Sequence, residues 1–107
     1  MRLAAQNLTA GVVTELYVVP AATRVVLTAN LCNRAATLPK VRLAVTDGAV
    51  PTDADWIEYD TPLPAAGSSE GSVIERTGLA LAAGQKIFAR ADIAGVSAVL
   101  YGVKEAV

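Results

Sequence analysis

The sequence predicts an all-β domain, an antiparallel β-sandwich of about seven or eight strands, with jelly-roll and immunoglobulin-like topologies both open. Three observations point there. Apolar residues recur at every second position over runs of strand length, turn-forming residues separate the runs, and no longer window carries an apolar stripe at helical spacing free of proline, glycine or a β-branched cluster. Helix is expected to be marginal or absent.

The elements follow in chain order. Residues up to about position 10 are expected to form a short N-terminal arm ahead of a first strand at Val12 to Val19. From Arg24 to Cys32, Val25, Leu27, Ala29 and Leu31 alternate with Val26, Thr28, Asn30 and Cys32, the pattern of a strand with one buried face. Lys40 to Thr46 alternates more cleanly, which places Val41, Leu43 and Val45 inward and Lys40, Arg42 and Thr46 toward water. Further runs at Trp56 to Asp60, Ser72 to Leu81, Lys86 to Asp92 and Val96 to Lys104 have strand length. Pro20-Ala21-Ala22-Thr23, Pro64-Ala65-Ala66-Gly67 and Leu81-Ala82-Ala83-Gly84 read as recurring corners, because proline presets one turn dihedral and glycine admits positive φ. The longest irregular stretches, Asp47 to Asp55 and Pro62 to Gly71, are the natural places for contact with a partner.

The chain of 107 residues has room for one core, so residues 1–107 are read as a single domain. Hydrophobic residues at 53% and charged residues at 18% are enough to build that core and lie far from the composition of a disordered chain. Nine basic and ten acidic residues are scattered singly, so there is no basic stripe for phosphates and no polybasic segment for an anionic membrane. Nucleic acid and membrane are therefore not expected as partners. After three apolar residues the opening reaches Gln6-Asn7, too soon for a signal-peptide core, and synthesis in the cytoplasm is expected. The single cysteine, Cys32, has no intrachain partner for a disulfide and is read as a small buried apolar residue.

Candidate chemistry is sparse. Histidine is absent, which removes the commonest general base and the commonest metal ligand. Asp53-Ala54-Asp55 could offer two oxygens to Ca²⁺, but the alternating acidic pattern of a calcium loop is missing and turn aspartates usually bond their own backbone. No metal or other cofactor is expected. Glu58 and Asp60 stand two apart on a strand and so should share a face, where a solvated pair is the simpler reading than an acid-base couple. Ser68, Ser69 and Ser72 lack a base to activate them, and an enzyme is not expected. Trp56 is different, because it stands where a loop enters a strand and tryptophan is favoured as an interface anchor. Val50 and Pro51 in the same loop, and Asn33-Arg34 at a strand end, complete the candidate interface residues.

Several of these segments together resemble a group of small virion structural proteins of tailed bacteriophages that infect Gram-negative bacteria and cyanobacteria. They are Leu16 to Thr23, Asn30 to Arg34, Lys40 to Val45, Trp56 to Pro64, Glu75 to Leu79 and Ala82 to Ile87. The resemblance implies a β-rich, non-enzymatic subunit of the particle, located in the virion and made in the host cytoplasm. It implies as partners further copies of the chain, a trimer among the options, and other virion proteins. As a capsid decoration or cement protein it would sit over joints between major capsid subunits. As a tail, baseplate or fibre-attachment subunit it would bind tail proteins. The lack of heptads and collagen-like repeats favours decoration over a fibre. A small-molecule or carbohydrate-binding sandwich is the further alternative.

Overall fold

A computed structural model describes all 107 residues. Its strands are β1 (Arg2–Asn7), β2 (Thr14–Val18), β3 (Thr23–Asn33), β4 (Lys40–Thr46), β5 (Trp56–Pro62), β6 (Val73–Leu81), β7 (Lys86–Ala91) and β8 (Val96–Ala106), with a 3₁₀ turn at Asp53–Asp55 as the one helical element. Pairing is antiparallel throughout and nested: β1 with β8, β2 with β7, β3 with β6 and β4 with β5. This is a long hairpin closed at the β4–β5 loop. Wrapping it adds the pairs β3 with β8 and β4 with β7. Two four-stranded sheets result, β1-β8-β3-β6 and β2-β7-β4-β5. That order is a jelly roll; an immunoglobulin sandwich pairs its first two strands with each other, and here β1 and β2 lie in different sheets.

The core forms where the inner faces meet. Val25, Leu27, Ala29 and Leu31 of β3 are each at most 1% exposed, and they pack with Val41 and Leu43 of β4, Ile87 and Ala89 of β7, and Ala98 and Leu100 of β8. Each fully buried Leu, Ile or Val is worth roughly 1.5–3 kcal/mol, so this cluster does the stabilising work of the disulfides the chain lacks. The β3 alternation therefore holds as expected. It also carries Cys32 into the outward row with Val26, where it is half-buried and not a core residue.

Three further expectations are corrected. Residues 2–7, read as part of an arm, form the edge strand β1 along β8; Ala and Gln lack the β-branched signature that marks a strand. Thr46, expected in water, is 3% exposed because the 3₁₀ turn lies against β4, and its Oγ1 accepts the Gly48 N–H at 3.1 Å. The outer face of β4 is likewise not uniformly wet, since Ala44 is fully buried there beside Phe88 of β7. Each of the three similar corner sequences does contain one residue of positive φ, as recurring corner chemistry requires. Positive φ falls on Gly67 and Gly84 in two of them and one residue earlier, on Ala22, in the other.

A close backbone contact requires glycine at position 102. Gly102 of β8 faces Leu27 of β3, and a Cβ there would stand 2.2 Å from the Val26 carbonyl oxygen and 2.7 Å from the Leu27 Cα. The same residue ties down the N-terminus: its N–H donates to the Met1 carbonyl at 2.8 Å, and the Met1 ammonium donates to its carbonyl at 2.9 Å.

Candidate functional site: an aromatic and guanidinium platform

The residues that stand out chemically lie on the outer face of the β2-β7-β4-β5 sheet, and two bulges in β5 put them there. Val41 pairs with Thr61 and Leu43 with Glu58, so two residues, Tyr59 and Asp60, face the single Arg42. Ala44 then pairs with Trp56, which leaves Ile57 as a second extra residue. Asp60 makes the first bulge possible by adopting φ of 52°, a left-handed conformation that aspartate tolerates better than most residues. Trp56, Tyr59 and Asp60 thereby gather around Arg42, while Ile57 turns to pack against the core.

The bulges also separate the two carboxylates expected to share a face. Glu58 turns to the sandwich edge, where it forms an ion pair with Arg76 of β6 and accepts the Thr61 hydroxyl at 2.8 Å. Asp60 instead receives Arg42 in a two-pronged contact, Nε to Oδ1 at 2.7 Å and Nη2 to Oδ2 at 3.2 Å. No acid-base couple forms.

Arg42 is clamped on its other side by rings. Its Cζ lies 4.0 Å from the Tyr59 centroid and 5.9 Å from that of Trp56, and the two rings meet edge to face at 5.7 Å and 71°. The hydrogen bonds from Arg42 hold the Asp60 carboxyl below its ordinary pKa against the opposing effect of burial, helped by the charges of Arg42, Arg90 and Lys40. Asp60 in turn raises the Arg42 guanidinium. Two hydrogen bonds hold the groups to each other, so the cluster offers a fixed surface. Asp53 of the 3₁₀ turn closes one side of a shallow depression floored by Trp56 and Tyr59.

The residues picked out from sequence are divided by the fold. Trp56 is half-buried beside Ala44 and joins the platform. Val50 is 66% exposed in the loop that leads to it, and Pro51 is half-buried. Asn33 is corrected: at 1% exposure it is no contact residue. Its Nδ2 donates to the carbonyls of Thr37 at 2.8 Å, Leu63 at 3.2 Å and Pro64 at 3.1 Å, and its Oδ1 accepts the Ala35 N–H at 2.9 Å, knotting two loops together. Arg34 is exposed and donates to Asn7 Oδ1, but it belongs to the end of the sandwich where β4 begins, away from Trp56.

The acidic loop has its own internal use. Asp55 Oδ2 accepts the Thr52 N–H at 2.7 Å and the Thr52 hydroxyl at 3.0 Å, and its pKa is lowered chiefly by the Thr52 backbone bond. That carboxylate fixes the turn that carries Asp53 to the platform. Tyr59 was not identifiable as a site residue from sequence, because strict alternation puts it on the face opposite Trp56, while Arg42 and Asp60 were read as parts of a solvated strand face. Comparison with known protein families, curated proteins and solved structures finds no match for this chain.

Proposed function

We propose that the chain is a non-enzymatic structural subunit of a tailed-bacteriophage particle, a capsid decoration protein that docks through the Trp56, Tyr59 and Arg42 platform and the adjoining Val50-Pro51 loop. The observation that carries this reading is the platform itself. It is a rigid group of Trp, Tyr and Arg, the residue types that dominate interface energetics, displayed on a sheet face without a cleft or a reactive group. The jelly roll supports it as an architecture used for viral capsid domains, and the likeness of the strand and turn segments to phage virion proteins supplies the particle.

Comparing particles that lack the protein with complete ones tests the reading. Heads that assemble but release DNA at lower temperature, with normal tails, are expected, because each bound copy stabilises the assembled shell. Robust heads with defective tails would move the subunit to the tail. A carbohydrate-binding module is the second reading, favoured by the depression between Asp53, Trp56 and Tyr59, the last of which is 57% exposed. Saturable quenching of Trp56 fluorescence by oligosaccharides would support it.

A further inference from the structure

The opposite face of the molecule, the outer side of the β1-β8-β3-β6 sheet, carries large side chains with nothing over them. Val26 is 47% exposed, Val103 66%, Val73 45% and Tyr101 39%. Val26 and Val103 are cross-strand partners on its two middle strands, toward the Arg24 and Glu105 end, and small or uncharged residues such as Thr28, Val99 and Ser97 fill much of the rest. Charges of this face lie toward its rim: Arg2 on β1, Glu75 on β6, and the Arg24 and Glu105 pair at one end.

We infer that this face binds a second copy of the chain, sheet against sheet, about a two-fold axis parallel to the strands and midway between β8 and β3. The inference deepens the structural-subunit reading and rests on it for its purpose in a particle. Two observations select a second copy as the occupant.

The first is area. At about 3.3 Å per residue the eleven-residue β3 and β8 are roughly 36 Å long, and four strands about 4.8 Å apart are roughly 19 Å across. With β1 at six residues and β6 at nine, the face measures roughly 590 Å², about three quarters of the ~800 Å² per partner of a stable interface.

The second is charge. The proposed axis exchanges β3 with β8 and β1 with β6, because the sheet order is β1-β8-β3-β6. Arg24 pairs with Glu105 across β3 and β8, so each Arg24 then lies over the Glu105 of the second copy. Arg2 is in register with Thr28 through Tyr101, and Glu75 with Asn30, two residues further along β3. Each Arg2 therefore comes within side-chain reach of the other copy's Glu75. Val26 lies over Val103 in both directions. The face is thus self-complementary in sign and in apolar content, as a two-fold interface requires.

Size-exclusion chromatography with light scattering tests this on the full chain. The expected mass is twice 11.0 kDa. Val103→Glu should return the chain to single mass with an unchanged circular dichroism spectrum, since that side chain is outside the core. Arg2→Glu and Glu75→Arg should each weaken the dimer, and the double exchange should restore it. Within one chain these residues sit on opposite edges of the sheet, so the rescue reports the axis. Cys32, on the same face, should react with a maleimide more slowly in the dimer than in Val103→Glu. A chain that runs at 11.0 kDa, or a larger species whose mass Val103→Glu leaves unchanged, overturns the inference. Incorporation into particles is scored separately: a monomer that still decorates heads refutes the dimer alone, and a dimer absent from particles refutes the structural-subunit reading.

Discussion

The Arg42 guanidinium is held between Tyr59 and Asp60, neighbours in sequence that a bulge brings to the same side: its carbon is 4.0 Å from the ring centre and its nitrogens reach both carboxylate oxygens. An arginine fixed by a ring and a carboxylate has little rotamer freedom left to lose, so binding through it avoids much of the ordering penalty of a free side chain.

That clamp should respond to acid. Asp60 and Asp55 both titrate below the ordinary 3.8 in the folded chain, so the unfolded chain binds more protons just above their folded values. Their contribution is present above pH 3.8 and is lost as pH falls through the depressed values. Melting temperature should fall on acidification below that point, and Asp60→Asn should flatten the fall. An unchanged acid profile in Asp60→Asn would show that the Arg42 contact adds nothing to stability.

The Tyr17 hydroxyl is buried without a hydrogen-bond partner, at a point where a bulge in β2 turns the ring toward the core. An unpartnered buried hydroxyl is destabilising, so Tyr17→Phe should raise unfolding free energy by about 1 kcal/mol. Chemical denaturation checks this, and a loss of stability would mean the hydroxyl is partnered in solution.

Gly102→Ala should lower stability by roughly 1–3 kcal/mol, because the added methyl meets backbone of β3 that no side-chain rotation can clear. Gly67→Ala is the contrast: open space surrounds that position, and only its positive φ opposes the change. Thermal melts of the two variants separate close packing from turn conformation.

How much was legible in the sequence follows from how local each signal is. Val25 to Leu31 alternate without interruption, because a regular strand records its buried face in its own residues, and Lys40 to Thr46 keep their expected bounds although Ala44 and Thr46 break the alternation. The choice between jelly roll and immunoglobulin topology depends on pairing β1 with β8 across the whole chain, and no local pattern records that. The platform was hidden for a related reason: two bulges cancel the alternation that would have parted Tyr59 from Trp56, and nothing in Trp-Ile-Glu-Tyr-Asp announces them. Asn33 misled because a polar residue at a strand end usually faces water; here four hydrogen bonds make burial tolerable.

The most direct measurement of the docking account is occupancy of the protein on purified particles carrying Tyr59→Ala in place of the native chain. Tyr59 is 57% exposed, so its removal should leave the isolated fold nearly as stable, whereas Trp56 also shelters Ala44 and tests both properties at once. Truncating an interface anchor of this kind removes about 2 kcal/mol of binding, so occupancy should fall sharply and DNA release should shift to lower temperature. Full occupancy with unchanged release, in a variant whose melting temperature matches the native chain, would contradict the claim that this face attaches the protein to the particle.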